Sequence, residues 1–228
     1  GAQHVDIFSA VKMCLSDQLQ GDVFNLILSN TKTWPNSAKT EDTVGHGDVL
    51  KYGSEAVRLW LAFLDYLLWD LASKDCQDDK QDDLCEDGKI FKDIDKATMN
   101  AVKSYVFRRN RSVEHLHPQT DLNSANQQRW AQEWGGNGRT IKDFFGNLAL
   151  ISAGRNSEYS NESVGGKADR VRRLVESKSI ESIKLVLMLN ACDGKDEKWN
   201  PDCALNHANS MLSVLKWGLE NLKVKEDK

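Results

Sequence analysis

The stretch from Val57 to Leu71 constrains the fold more than any other part of the chain. Val57, Trp60, Leu61, Leu64, Leu67, Leu68 and Leu71 recur at intervals of three and four, and Leu59, Phe63 and Trp69 fill the faces between. That spacing predicts a helix, and a helix apolar on most sides must be covered by neighbours all round. Ser54 is the expected N-cap, with Glu55 in the first turn. Arg58, Asp65 and Asp70 interrupt the run, which is also short for a membrane span. The reading is a buried helix at the centre of a helical domain, in a chain of 228 residues whose 40% hydrophobic content is enough for a core.

The remaining pattern is mostly helical. Residues 4–30 carry helical spacing broken near Gly21, and 31–53 read as a loop holding a solvated His46. The acidic run 74–89 lacks the alternation of a calcium loop and reads as solvated. A helix is expected over 93–107, with Val102, Tyr105 and Val106 on its inner face. Residues 120–140 form a polar insertion with Trp130, Trp134 and a short helix over 127–134. Further helices are expected from Lys167, with Val171, Leu174 and Val175 inside, and from Ile180 to Leu189. A last helix, capped by Asp202, carries Leu205, Ala208, Met211, Leu212 and Leu215 back against the N-terminal helices. Only the tail from Lys223 reads as disordered. Five cysteines without close pairing read as free thiols in a reducing cytoplasm, and Cys76, Cys85, Cys192 and Cys203 with His207 lack the close pairs of a zinc site. A chain starting directly into a helix reads as the C-terminal piece of something longer.

Chemistry concentrates in three short segments. Val113–Glu114–His115–Leu116–His117–Pro118–Gln119 reads as an apolar strand ending in a carboxylate beside an imidazole. Phe145–Gly146–Asn147–Leu148–Ala149–Leu150–Ile151 is a second apolar strand opened by an asparagine, and Asn156 follows where a helix begins. Consecutive strand side chains point to opposite faces, so Glu114 and His115 both face one site only if the strand bends or ends there; in a regular strand only one does, and His115 is the choice. Pro118 ends the strand. His117 shares the face of His115 and reads first as a hydrogen-bonded structural histidine, with phosphate or metal contact as the sharper alternative. Arg108, Arg109 and Arg111 enter the first segment, and Lys167, Arg170 and Arg173 follow the third. A net charge of −4 does not advertise nucleic-acid binding, but a local basic surface serves as well.

These segments resemble the C-terminal nuclease domain of GmrSD-type modification-dependent restriction endonucleases, within the HNH or ββα-metal family. That family reads roughly Ile-Glu-His-Ile-Leu-Pro-Gln, then Gly-Asn-Leu-Thr-Leu-Leu, then an Asn, a Ser/Asn-rich run and a Lys. Val113 to Gln119, Gly146 to Ile151, and Asn156 with Ser157, Ser160, Asn161 and Lys167 are the counterparts. His117 stands where an apolar residue is usual, and Glu114 replaces the Asp of most HNH enzymes. The resemblance implies His115 as general base, Asn147 as the residue that fixes the hairpin loop and orients that base, and Glu114 and Asn156 as ligands of Mg2+ or Mn2+. Magnesium takes few protein oxygens, so a carboxylate and a carboxamide are a sensible set.

The expected fold is therefore α+β and predominantly helical, a helical bundle carrying a small ββα-metal core. The expected units are a helical domain over 1–108, the nuclease core over 109–178 and C-terminal helices over 179–228. The expected function is a metal-dependent endonuclease or nickase acting on double-stranded DNA, the cytoplasmic effector part of a prokaryotic restriction or anti-phage defence protein. The nucleotide-hydrolysing, modification-sensing part would lie outside this chain, which carries no Gly-x-x-x-x-Gly-Lys loop. A catalytically silent DNA- or partner-binding scaffold is the alternative, and RNA a third possible target.

Overall fold

A computed structural model describes residues 50–73, 90–120, 128–131 and 140–221. The expectations for 4–30, His46, the acidic run 74–89, Cys76, Cys85, Trp134 and the tail lie outside these residues. The described chain is mostly helical with one small antiparallel sheet, as the sequence led us to expect.

Helix α1 (Glu55–Ser73) forms where the apolar spacing placed it. Trp60, Leu64, Leu67 and Leu68 are wholly buried, each contributing roughly 1.5–3 kcal/mol by leaving water. Helix α2 (Lys96–Lys103) starts at Asp95, whose carboxylate accepts from the backbone N–H groups of Ala97 and Thr98 at 2.7 and 2.9 Å. It stops earlier than the sequence suggested. Tyr105 leaves the helix to donate its hydroxyl to the Glu181 carbonyl at 3.0 Å, and Phe107 packs edge-on against Tyr105 and Trp69. Val106, expected inside, is exposed on the extended segment that results.

That segment becomes strand β1 (Ser112–His115), paired antiparallel with β2 (Leu148–Ile151) in the register Ser112↔Ile151, Val113↔Leu150, Glu114↔Ala149, His115↔Leu148. Every residue of β2 is buried, because α1 and α5 (Ile183–Ala191) cover the sheet. Between the strands the chain makes two short 3-10 turns, Ile141–Asp143 and Phe145–Asn147. After β2 come α3 (Ala153–Tyr159) and α4 (Val164–Glu176), capped by the Ser152 and Ser163 hydroxyls. The last helix, α6 (Pro201–Asn221), packs against α1, α5 and both 3-10 turns. Its start differs from the expectation. Pro201 occupies the first helical position, and the Asn200 side chain, not Asp202, accepts the Cys203 N–H at 3.0 Å.

A buried carboxylate ties α1 to α5. Asp65 Oδ1 accepts the Lys184 backbone N–H at 2.8 Å and the Ser182 hydroxyl at 3.3 Å, capping α5 from outside it. Burial outweighs these bonds and pushes the Asp65 carboxyl up to about 7.

Candidate functional site

The loop end of the β1–β2 hairpin, where the chain leaves His115 and returns at Leu148, is held by buried polar groups. Asn147 is fully buried and uses its whole carboxamide. Its oxygen accepts from the His117 N–H at 2.8 Å and the Trp199 indole N–H at 2.9 Å. Its nitrogen donates to the carbonyls of His117 at 3.0 Å and Lys142 at 2.9 Å. One side chain thus clamps the exit of β1 to the segment before β2 and to the foot of α6.

Two buried lysines grip the same end, one at the end of β1 and one at the start of β2. Lys184 of α5 donates to the carbonyl of Leu148 at 2.6 Å and more weakly to that of Gly146 at 3.4 Å. Burial drives its ammonium down to about 7, against the pull of Asp65. Lys167 of α4 donates to the carbonyls of His115 at 2.6 Å and Leu116 at 3.2 Å, and pairs with Glu114 Oε1 at 2.7 Å.

This corrects two expectations. Lys167 does not face a nucleic-acid backbone, because its side chain is 0% exposed. Glu114 does not share a site with His115. The ladder runs unbroken through both residues, so they lie on opposite faces of the strand, and the Glu114 carboxylate is committed to Lys167. Burial raises the Glu114 pKa and lowers that of Lys167, and the pairing opposes both shifts.

His115 turns the other way. Its Nε2 lies 3.0 Å from Asp143 Oδ1, and its ring meets the edge of Tyr52 with centroids 4.5 Å apart. The His115 side chain is 7% exposed, yet that of Asp143 is 36% exposed and Tyr52 is 42% exposed, so the site opens beside the imidazole. The Asp143 backbone carbonyl accepts the Tyr52 N–H at 2.7 Å, and Lys51 bridges Phe144, fastening the segment before α1 to the site. Burial pulls the His115 pKa below its ordinary 6.5, and Asp143 works against that pull. The imidazole in turn holds the Asp143 carboxyl below the usual carboxylate range. His117 stacks flat on Trp130, with centroids 4.3 Å apart and planes 6° apart, a packing role.

Asn156 lies inside α3, a helix that packs on β1, and is half-buried; its side chain makes no hydrogen bond to the described residues. Ser152, at the foot of α3, gives its N–H and hydroxyl to the two oxygens of buried Glu181, at 2.9 and 3.1 Å. The expected basic residues divide. Arg108, Arg109, Arg111 and Arg173 are exposed, while Arg170 is engaged with Glu162 at 2.6 Å.

Asp143, Tyr52, Trp199, Glu181 and Lys184 carry the site without having been singled out in the sequence. Only Lys184 left a signal, as a lone cation in an otherwise apolar helix. Among the described residues no group of three or more His, Cys, Asp or Glu side chains is placed to hold a metal ion, and Cys192 and Cys203 are free. No described helix is long and apolar enough to cross a membrane.

Comparison with known proteins adds one positive finding. The family model described as "GmrSD restriction endonucleases, C-terminal domain" matches residues 52–214. No curated protein and no solved structure shows significant similarity to the chain.

Proposed function

The chain belongs to the family of GmrSD restriction endonuclease C-terminal domains, and from that premise we propose that it is the nuclease effector of a restriction system, an HNH-type endonuclease or nickase acting on double-stranded DNA. The observation that carries the reading is the setting of His115. A buried imidazole is paired with a carboxylate at the mouth of a hairpin that Asn147, Lys167 and Lys184 hold rigid.

In this reading His115 takes a proton from the attacking water as its oxygen adds to phosphorus and the P–O bond to the leaving sugar breaks. Its lowered pKa keeps the ring neutral, and therefore basic, at physiological pH. Asn147 keeps the base in place through the backbone on both sides of the hairpin mouth. Arg108, Arg109 and Arg111 lie exposed on the approach to β1 and suit phosphate contacts that position a duplex. Arg173 suits the same role from α4, and Arg170 would have to leave Glu162 to join it.

A divalent cation would stabilise the charge that grows on phosphate and leaving oxygen. The expected ligand pair does not fit one as folded, because Glu114 lies behind the strand on Lys167 and only the Asn156 carboxamide remains uncommitted. Cleavage compared in Mg2+, Mn2+ and EDTA reads the metal dependence directly.

The test is conversion of supercoiled plasmid to nicked or linear forms by the purified chain, with Mg2+, Mn2+ or EDTA, and with a duplex RNA of matched length as competitor. Cleavage of DNA in at least one metal supports the reading. Tight DNA binding with no turnover in any condition would favour the scaffold alternative.

A further inference from the structure

Resting on the reading of His115 as the base, we propose that Asp143 is a positioning residue that holds the His115 proton on Nε2 and so leaves Nδ1 as the basic nitrogen. A neutral imidazole carries one N–H and one lone pair, and the hydrogen bond made by one nitrogen decides which is which. An ionised carboxylate only accepts. With Asp143 Oδ1 at 3.0 Å, Nε2 must be the donor. The other nitrogen makes no hydrogen bond to the described residues, so its lone pair is left for a water.

The carboxylate is itself fixed. Asp143 Oδ2 accepts the Thr140 hydroxyl at 3.1 Å, the Asp143 N–H donates to the Thr140 carbonyl at 3.2 Å, and its own carbonyl holds Tyr52 at 2.7 Å. The neighbouring residue, Lys142, has its carbonyl on Asn147. The Tyr52 ring then blocks one side of the imidazole. The base is therefore oriented by a side chain 28 residues away, which is itself anchored through Asn147 and the segment before α1. Outer partners of metal-bound histidines typically cost about 10–100-fold when removed, and a loss of that order is expected for this pair.

The experiment uses the full chain labelled with 15N in its histidine rings, with His115 assigned by comparison with His115→Gln. Spectra are taken under conditions where the ring is neutral. The wild-type ring should show the Nε2–H tautomer. Asp143→Ala should give a mixture of tautomers, while Asp143→Asn, whose carboxamide oxygen still accepts, should retain the wild-type form. In single-turnover plasmid cleavage, Asp143→Ala should lower the maximal rate about 10–100-fold with little change in the DNA concentration needed for half-saturation. Asp143→Asn should recover part of that loss.

An Nδ1–H tautomer in the wild type, or a tautomer unchanged in Asp143→Ala, would overturn the assignment. So would an Asp143→Ala defect confined to DNA affinity. The two readings fail separately. If His115→Gln still cleaves, the base assignment is wrong, and the ring spectra still report whether Asp143 sets the proton.

Discussion

The Lys167 ammonium lies 2.7 Å from the Glu114 carboxylate and 2.6 Å from the carbonyl of His115, with neither side chain more than 6% exposed. The cation therefore braces the strand that carries the imidazole. Removing one member of such a pair strands a buried charge, so Lys167→Met should destabilise the chain by about 3–5 kcal/mol. Lys167→Met with Glu114→Gln should cost less than Lys167→Met alone. Urea unfolding followed by circular dichroism measures both. A Lys167→Met chain of unchanged stability that merely binds DNA less well would return the lysine to the surface.

Asn147→Ala would leave the Trp199 indole, the His117 N–H and two carbonyls without their partner in a dry environment. Each unsatisfied buried group costs about 1–3 kcal/mol, partly relieved by relaxation. A loss of roughly 3 kcal/mol is expected, together with loss of activity. Asn147→Asp keeps the acceptor but buries a carboxylate oxygen against the two carbonyls, so it should be no more stable than Asn147→Ala. Chemical denaturation of the three chains gives the order.

Gly146 sits where α6 crosses the turn before β2. A Cβ there would collide with the Ala204 carbonyl oxygen and lie 2.9 Å from its carbon, backbone atoms that cannot swing aside. Gly146→Ala should therefore cost about 1–3 kcal/mol or more and shift α6. The glycine answers to this close approach, since its φ is not in the left-handed region. A wild-type melting temperature in the variant would contradict the packing.

Activity should survive below the ordinary histidine range. Burial lowers the His115 pKa from 6.5 and outweighs Asp143, so protonation silences the base only at a pH under 6.5. Asp143→Ala removes the opposing pull and should move the acid limb lower still. Stability follows the same sign. A depressed pKa means that the unfolded chain takes the proton first, so this contribution is complete above 6.5 and is lost as pH falls through the folded value. Rate and unfolding profiles between pH 5 and 8, the span in which histidine titrates, test both directions.

The elements of the site were more legible than their connections. Apolar spacing gives α1 directly, and the run Leu148 to Ile151 gives a strand covered on both faces. Lys167 reads in the sequence as an outward-pointing charge, and the fold buries it. Its interval to Val171 and Leu174 places it on their inner face, but nothing local announces the Glu114 and carbonyl partners 51–53 residues away that let it stay there. Asp143 stands in a segment with no period at all, and only the folded chain brings it to His115. Asn200 displaced Asp202 as the cap because Pro201, lacking an N–H, opens the helix two residues earlier.

The proposed mechanism rests on proton transfer to the imidazole of His115. Single-turnover nicking of supercoiled DNA by wild type and His115→Ala, at matched folded stability and in the most active metal, tests it most directly. A loss of at least about 100-fold in rate is expected, with DNA binding retained. Equal cleavage by the two proteins would contradict it.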